Sequence, residues 1–316
     1  MMMKYEIAGR ELSVPLIGTW SWGGGMNGSR IVFGQSFSED SLKNTFNKAY
    51  DSGFVFWDTA EVYGMGRSEE ILGRVIAGKN AMISTKHFPG RKYKKGECRS
   101  AIQKSLERLG IPEIDLYWLH SPINIQENMS ELAECLKDGL IKSIGLSNGN
   151  TDDILLASKV LEENGTRLSA IQNHYSLLSF EREEKMLELC RKKGIIFFGY
   201  MMLEQGALSG HYDKDHTFEM LSARGLSFGK GKFVKIDRLI GYERQLAKKY
   251  NIDCSQMPIA WGIAKGVVPI VGINKPHHSD SLAAGAALSL TKDEITELER
   301  LALESGVKCR GSWEIH

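Results

Sequence analysis

Cysteine is scarce in this chain: five residues, at 98, 135, 190, 254 and 309, with no CxxC pair among them. An odd, dispersed set makes no disulfide framework and fits reduced thiols in a cytoplasmic protein. No run approaches about 18 uninterrupted apolar residues, so no segment reads as a membrane span. The start, Met1-Met2-Met3 followed by Lys4 and Glu6, lacks the apolar core of a secretory signal. Charge of one sign is missing too. A net of +1 over 316 residues gives no bulk electrostatic argument for nucleic acid or a membrane surface. The glycine fingerprint GxGxxG is absent, which removes the signature of an open dinucleotide-binding sheet. Metal-ligand spacing is absent as well: His277 and His278 are adjacent, so their side chains diverge, and no His-x-x-x-His or Cys pair accompanies them. No metal site is expected.

What is present is an ordinary globular composition, 42% hydrophobic and 25% charged, long enough for one large β/α barrel or two medium domains. The chain alternates short apolar runs with amphipathic ones. Strands are expected over 16–20, 54–57, 81–85, 114–119, 141–146, 168–172, 195–200 and 267–271. Helices are expected over 38–51 (capped by Ser38), from Ser68, and over 99–109, 130–137, 152–163, 182–193, 234–250, 255–265 and 292–304. Residues 5–14, with Ala8-Gly9-Arg10 between two β-prone runs, read as a hairpin over one end. Trp22-Gly23-Gly24-Gly25 reads as a loop. Eight strand–helix units in this length favour a closed (β/α)8 TIM barrel over residues 1–316, with a short N-terminal β-hairpin and a C-terminal helix.

The stretch GFVFWDTAEVYGMGRSEEILG, Gly53 to Gly73, organises the rest. Asp58 follows a buried-strand run, and Tyr63 lies five residues on, in a loop punctuated by Gly64 and Gly66. Polar residues recur at the other strand ends: Lys86, His120, Asn148, Gln172 and Lys275. In a barrel these would converge on one rim, where barrel chemistry sits. Spacing alone leaves a site and chance polar loop entry evenly matched.

Several motifs in order resemble the aldo-keto reductase family over about residues 5–290. They are Asp58-Thr59-Ala60-Glu61-Val62-Tyr63-Gly64, Ser84-Thr85-Lys86, the run Ile114 to Pro122 with His120, Gly145-Leu146-Ser147-Asn148, and Gln172-Asn173-His174-Tyr175-Ser176-Leu177-Leu178. The resemblance implies catalytic roles for Asp58, Tyr63, Lys86 and His120, in an enzyme reducing an aldehyde or ketone with NADPH, NADH being the other possibility. Tyr63 would give the proton, Lys86 would acidify the phenol, Asp58 would hold Lys86, and His120 would orient the carbonyl. Cofactor residues implied in the same way are Gly18, Thr19, Trp20, Asp58, Ser147, Asn148, Gln172, Tyr200, Met201, Leu203, Gln205, Gly206, Val271, Gly272, Asn274, Lys275 and His278. Trp20 and Trp22, with Tyr63 and His120, would meet a small carbonyl substrate. A cation at Lys275 favours NADP.

The chain departs from the family at Ser281-Leu282, where relatives show an acidic residue and Asn, and at Gly149. Tyr212 to Gly231 fits no motif; it would cover the cofactor or substrate mouth or be a surface loop. Two other functions stay open: a slow nucleotide-binding sensor subunit of the same family, and a Schiff-base enzyme built on Lys86. The protein would be a monomer or homo-oligomer.

Overall fold

The computed structural model describes residues 5–24, 37–311 and 314; Gly25 and the first four residues lie outside these. The antiparallel hairpin pairs β1 (Glu6–Ile7) with β2 (Arg10–Glu11). Its turn runs through Ala8 at φ 54° and Gly9 at φ 73°. Eight parallel strands follow: β3 (Leu16–Gly18), β4 (Phe56–Asp58), β5 (Met82–His87), β6 (Leu116–Leu119), β7 (Ile144–Ser147), β8 (Leu168–His174), β9 (Ile196–Tyr200) and β10 (Val268–Gly272). They close in the order β10-β3-β4-β5-β6-β7-β8-β9, the expected barrel.

The alternation of β side chains decides what fills it. Leu16, Phe56, Met82, Leu116, Trp118, Ala170, Phe198, Val268 and Ile270 form one buried cluster inside the barrel, and Ile7 and Leu12 of the hairpin region join it as a plug. Neighbouring positions point outward. Trp57 packs against Phe46 at 4.7 Å, whereas Trp118 lies edge-on to Phe198 at 5.4 Å in the interior. Gly145 on β7 makes room for that indole: a Cβ there would lie 2.2 Å from the Trp118 ring.

The helices are α1 (Glu39–Asp51), α2 (Arg67–Ile76), α3 (Glu97–Leu109), α4 (Ile125–Lys137), α5 (Thr151–Glu163), α6 (Glu184–Lys193), α7 (Ala223–Ser227), α8 (Lys230–Tyr250), α9 (Gln256–Ala264), α10 (His278–Ala287) and α11 (Lys292–Glu304). Ser38 caps α1 as expected, accepting from Ser41 N. Capping boxes start α5, with Asn150 and Asp153, and α11, with Thr291 and Glu294. Three expectations are corrected. Helix α2 starts after Gly66, in the left-handed region at φ 91°, and Ser68 is a buried residue inside it. Helix α4 starts five residues before Ser130, because Asn128 turns inward and donates to Ile123 O at 2.8 Å. Helix α10 was missed; its alanines give no helical stripe. No helix among the described residues is long and apolar enough to cross a membrane.

Candidate active site

One layer above the interior cluster, each strand presents its last inward position. Strand β5 runs one residue past Lys86 and β8 runs two past Gln172, so both side chains enter from within a strand. The register pairs Gly18 with Asp58 and Ser147 with Gln172, and sets His174 against Tyr200. Sequence positions far apart thus meet on the rim at the carboxyl ends of the strands.

Lys86 is wholly buried, and its ammonium donates to Asp58 Oδ2 and, at 2.7 Å, to Thr59 O. The other Asp58 oxygen accepts from Ser84 Oγ at 2.6 Å and from Gln172 Nε2 at 3.3 Å. The sequence reading missed Ser84; its signal was the β alternation, which turns position 84 inward with position 86. Burial lowers the Lys86 pKa, with Asp58 opposing the shift.

Tyr63 is carried by the loop between β4 and α2. That loop lies backbone against backbone on the one after β3. A Cβ on Gly64 would meet Gly24 O at 2.6 Å, and one on Gly23 would meet Tyr63 O at 2.8 Å. Glycine is required at both. Beneath, Ser68 Oγ donates to Thr19 O at 2.8 Å, Thr59 Oγ1 donates to Ser68 at 3.0 Å, and Thr19 Oγ1 donates to Asp58 O at 3.0 Å. Glu61 ties the same loop to the end of β5, accepting from Phe88 N at 2.8 Å and lying 2.7 Å from His87 Nδ1.

The Tyr63 ring stacks on Trp20 at 6.1 Å and stands edge-on to His120 at 6.1 Å, with the Lys86 ammonium 5.2 Å from its centroid. The four residues expected to work together therefore lie together. Their electrostatics differ from expectation. The Tyr63 pKa is raised well above 10, by burial first and then by Asp58 and Tyr200, rather than lowered by Lys86. Burial of the phenol outweighs the Lys86 charge, and the Asp58 carboxylate beside that charge opposes it. His120 is held well below its ordinary value by burial, Lys86 and His87, so its ring is neutral. Its Nδ1 is buried without a hydrogen-bond partner.

Beside this group, Asn148, in the left-handed region at φ 59°, donates to His120 O at 2.9 Å and accepts from Tyr200 Oη at 2.6 Å. Ser147 Oγ donates to Gln172 O at 2.9 Å. Met201, Leu203, Gln205 and Gly206 form the turn after β9. Val271 and Gly272 end β10, followed by Asn274 and an exposed Lys275. His278 opens α10, and burial, His277 and Lys275 push its pKa down to about 4. A Cβ on Gly18 would sit 3.2 Å from Ile270 Cγ2, so a larger residue there would press that side chain aside. Trp22 does not join the rim. Only 2% exposed, it donates through Nε1 to Ile273 O at 2.8 Å and packs 5.5 Å from Trp57, in the layer between barrel and α1. The exposed Phe88, 5.7 Å from His120, stands at the mouth instead.

The segment 212–231 is built on aromatics: Tyr212 meets Phe218 at 4.5 Å, and Phe233 of α8 meets Phe218 at 5.3 Å and Phe228 at 4.8 Å. Arg224 of α7 lies over Phe218 at 4.8 Å and reaches Gln205 O at 3.4 Å, so the segment packs on the turn after β9. Among the described residues no three His, Cys, Asp or Glu side chains are grouped to hold a metal.

The family model for the aldo/keto reductase family matches residues 16–303. A chloroplastic pyridoxal reductase of Arabidopsis thaliana is 30% identical over 96% of this chain and 86% of its own length. An aldo-keto reductase of Schizosaccharomyces pombe, named yakc [NADP(+)], is 29% identical over 90% of this chain and 88% of its own. Among solved structures, a glycerol dehydrogenase from Gluconobacter oxydans superposes with a TM-score of 0.81 at 28% identity, covering 98% of both chains. The closed parallel barrel, the motifs on its rim and these matches place the chain in the aldo/keto reductase family.

Proposed function

We propose that the protein is an NADP(H)-dependent oxidoreductase that reduces an aldehyde or ketone to an alcohol, with Tyr63 as the proton donor. The convergence of Tyr63, Lys86, Asp58 and His120 at one end of the barrel carries this reading. Hydride donation is the chemistry that NADP(H) supplies when bound. The residues present fit that group. Ser147, Asn148 and Gln172 offer an amide-matching set of donors and acceptors, oriented by their bonds to each other and to the strand ends. Tyr200 offers a ring face. Gly18 and Gly272 leave the barrel mouth free of side chains at β3 and β10. Lys275 stands before the amino end of α10, where a phosphate is favoured. His278, neutral at pH 7, would add a hydrogen bond there rather than a charge. The NADP(+) in the name of the fission yeast relative supports the same preference.

The proton chemistry follows from the electrostatics. Because Tyr63 holds its proton firmly in the free site, the group is loaded as an acid throughout the physiological range. As carbon receives hydride, negative charge grows on the carbonyl oxygen, and the phenol O–H gives its proton to that oxygen. The phenolate left behind lies beside the Lys86 ammonium, which stabilises it until solvent returns a proton. Asp58 keeps that ammonium in place, and the neutral His120 can orient the substrate oxygen without competing as an acid. A Schiff-base role for Lys86 is disfavoured, because two of its N–H groups are committed to Asp58 and Thr59. Turnover of a panel of aldehydes and ketones with NADPH and NADH side by side tests the reading. Tyr63→Phe should bind NADPH with wild-type affinity and lose at least about a hundredfold in kcat. A Tyr63→Phe enzyme at wild-type rate would remove the phenol from the reaction.

A further inference from the structure

A second polar cluster lies beside Tyr200, and the reduction makes no use of it. At its centre is His174, the last residue of β8 and 2% exposed. Its Nε2 lies 2.7 Å from Glu204 Oε1 and its Nδ1 lies 2.7 Å from Glu314 Oε1. An ionised carboxylate only accepts, so a ring with one on each nitrogen carries both protons and a positive charge. The ring also stacks on Tyr200, with centroids 5.6 Å apart at 26°.

Each carboxylate is braced in turn. Glu204 accepts from Ser176 Oγ. Glu314 accepts from Gly311 N at 2.6 Å and pairs through its other oxygen with Arg182 at 2.5 Å. Arg182 also reaches Glu183 at 3.2 Å, and Glu183 accepts from Asn173 Nδ2 at 3.1 Å. Glu204 belongs to the turn after β9, in which Met201, Glu204 and Gln205 all have positive φ, at 62°, 45° and 55°. Side chains rarely tolerate that conformation unless their surroundings impose it. Here Glu204 is pulled inward by His174 and Ser176, while Arg224 holds Gln205 O from outside. The neighbours thus fixed are Leu203, Gln205 and Gly206.

We propose that His174 is a positioning residue for the nucleotide, and that the carboxyl-terminal segment, acting through Glu314, sets how tightly NADP(H) is held. The proposal rests on the reading above that the chain binds NADP(H). One end of His174 shapes the turn and backs the aromatic ring that the nucleotide would meet. Its other end depends on a residue remote in sequence from every rim motif.

The test uses the full chain and its variants Glu314→Ala and Glu314→Gln, titrated with NADPH by fluorescence. Turnover on the best aldehyde of the panel is measured at saturating NADPH. Loss of one charge-assisted bond predicts an NADPH Kd raised about tenfold in Glu314→Ala. Glu314→Gln, which retains an acceptor, should fall between. Because Glu314 touches no rim residue of the tetrad, kcat at saturation should stay within about twofold of wild type. A Kd equal to wild type overturns the inference while leaving the reductase reading intact. So does a rise of Kd accompanied by a fall of both kcat and Tm, which would mark a merely structural contact. A wild-type chain that does not bind NADPH overturns the reductase reading itself, and this inference with it.

Discussion

Replacing Lys86 with Met removes an ammonium and leaves the Asp58 carboxylate in place. Both side chains are almost wholly buried, and Asp58 keeps only the hydroxyl of Ser84 and the long Gln172 bond. Breaking a buried pair from one side costs about 3–5 kcal/mol, because the remaining charge has no water to turn to. For a chain of this length that is a fall in Tm of roughly 5–8 °C. Asp58→Asn should cost a similar amount, by stranding the ammonium against one backbone carbonyl. The double variant Lys86→Met/Asp58→Asn buries no charge at all and should recover to within about 2 kcal/mol of wild type. Calorimetry or urea unfolding at neutral pH on all four proteins closes the cycle. All three variants should lose turnover, so stability and activity separate in the double. A single variant within about 1 kcal/mol of wild type, or a double as damaged as the two singles summed, would refute the view that these residues form an energetically coupled buried pair.

Two further outcomes follow from the core and from His174. Gly145→Ala should destabilise by about 1–3 kcal/mol, since the new methyl overlaps the Trp118 ring; adding Trp118→Phe should return part of that loss in urea unfolding. His174 has its pKa raised to about 9, burial opposing and Glu204 and Glu314 prevailing. A group bound more tightly to its proton in the folded state stabilises fully below its unfolded value, about 6.5, and loses that contribution as pH rises through the folded value. Up to about 3 kcal/mol should therefore disappear between pH 6.5 and 9.5 in wild type and not in His174→Gln, as read by the difference between their unfolding curves.

The barrel was legible because its grammar is local. Each apolar run between turn signals became a strand, and the inward–outward alternation carried Asp58, Lys86 and His120 to the same rim. What the sequence hid was set by contacts between distant segments. Ser68 follows two glycines and precedes two glutamates, the pattern of a cap, yet its hydroxyl is spent on Thr19, brought there by β3. Trp22 is two residues from Trp20 and equally aromatic; only the packing of α1 decides that one lines the mouth and the other the core. The acidity of Tyr63 was misjudged for the same reason. A lysine read from sequence is a bare cation; in the folded protein burial of the phenol outweighs it, and Asp58 opposes it. The cluster around His174 had no local signal, since its second carboxylate arrives 140 positions later.

The hairpin plug under the barrel has a mechanical corollary. With Ile7 and Leu12 packed against Leu16 and Phe56, and side chains filling the space above them, the barrel is a solid body rather than a conduit. Support and chemistry are thereby housed at opposite ends, so damage to the hairpin can reach the rim only through the packed layers between.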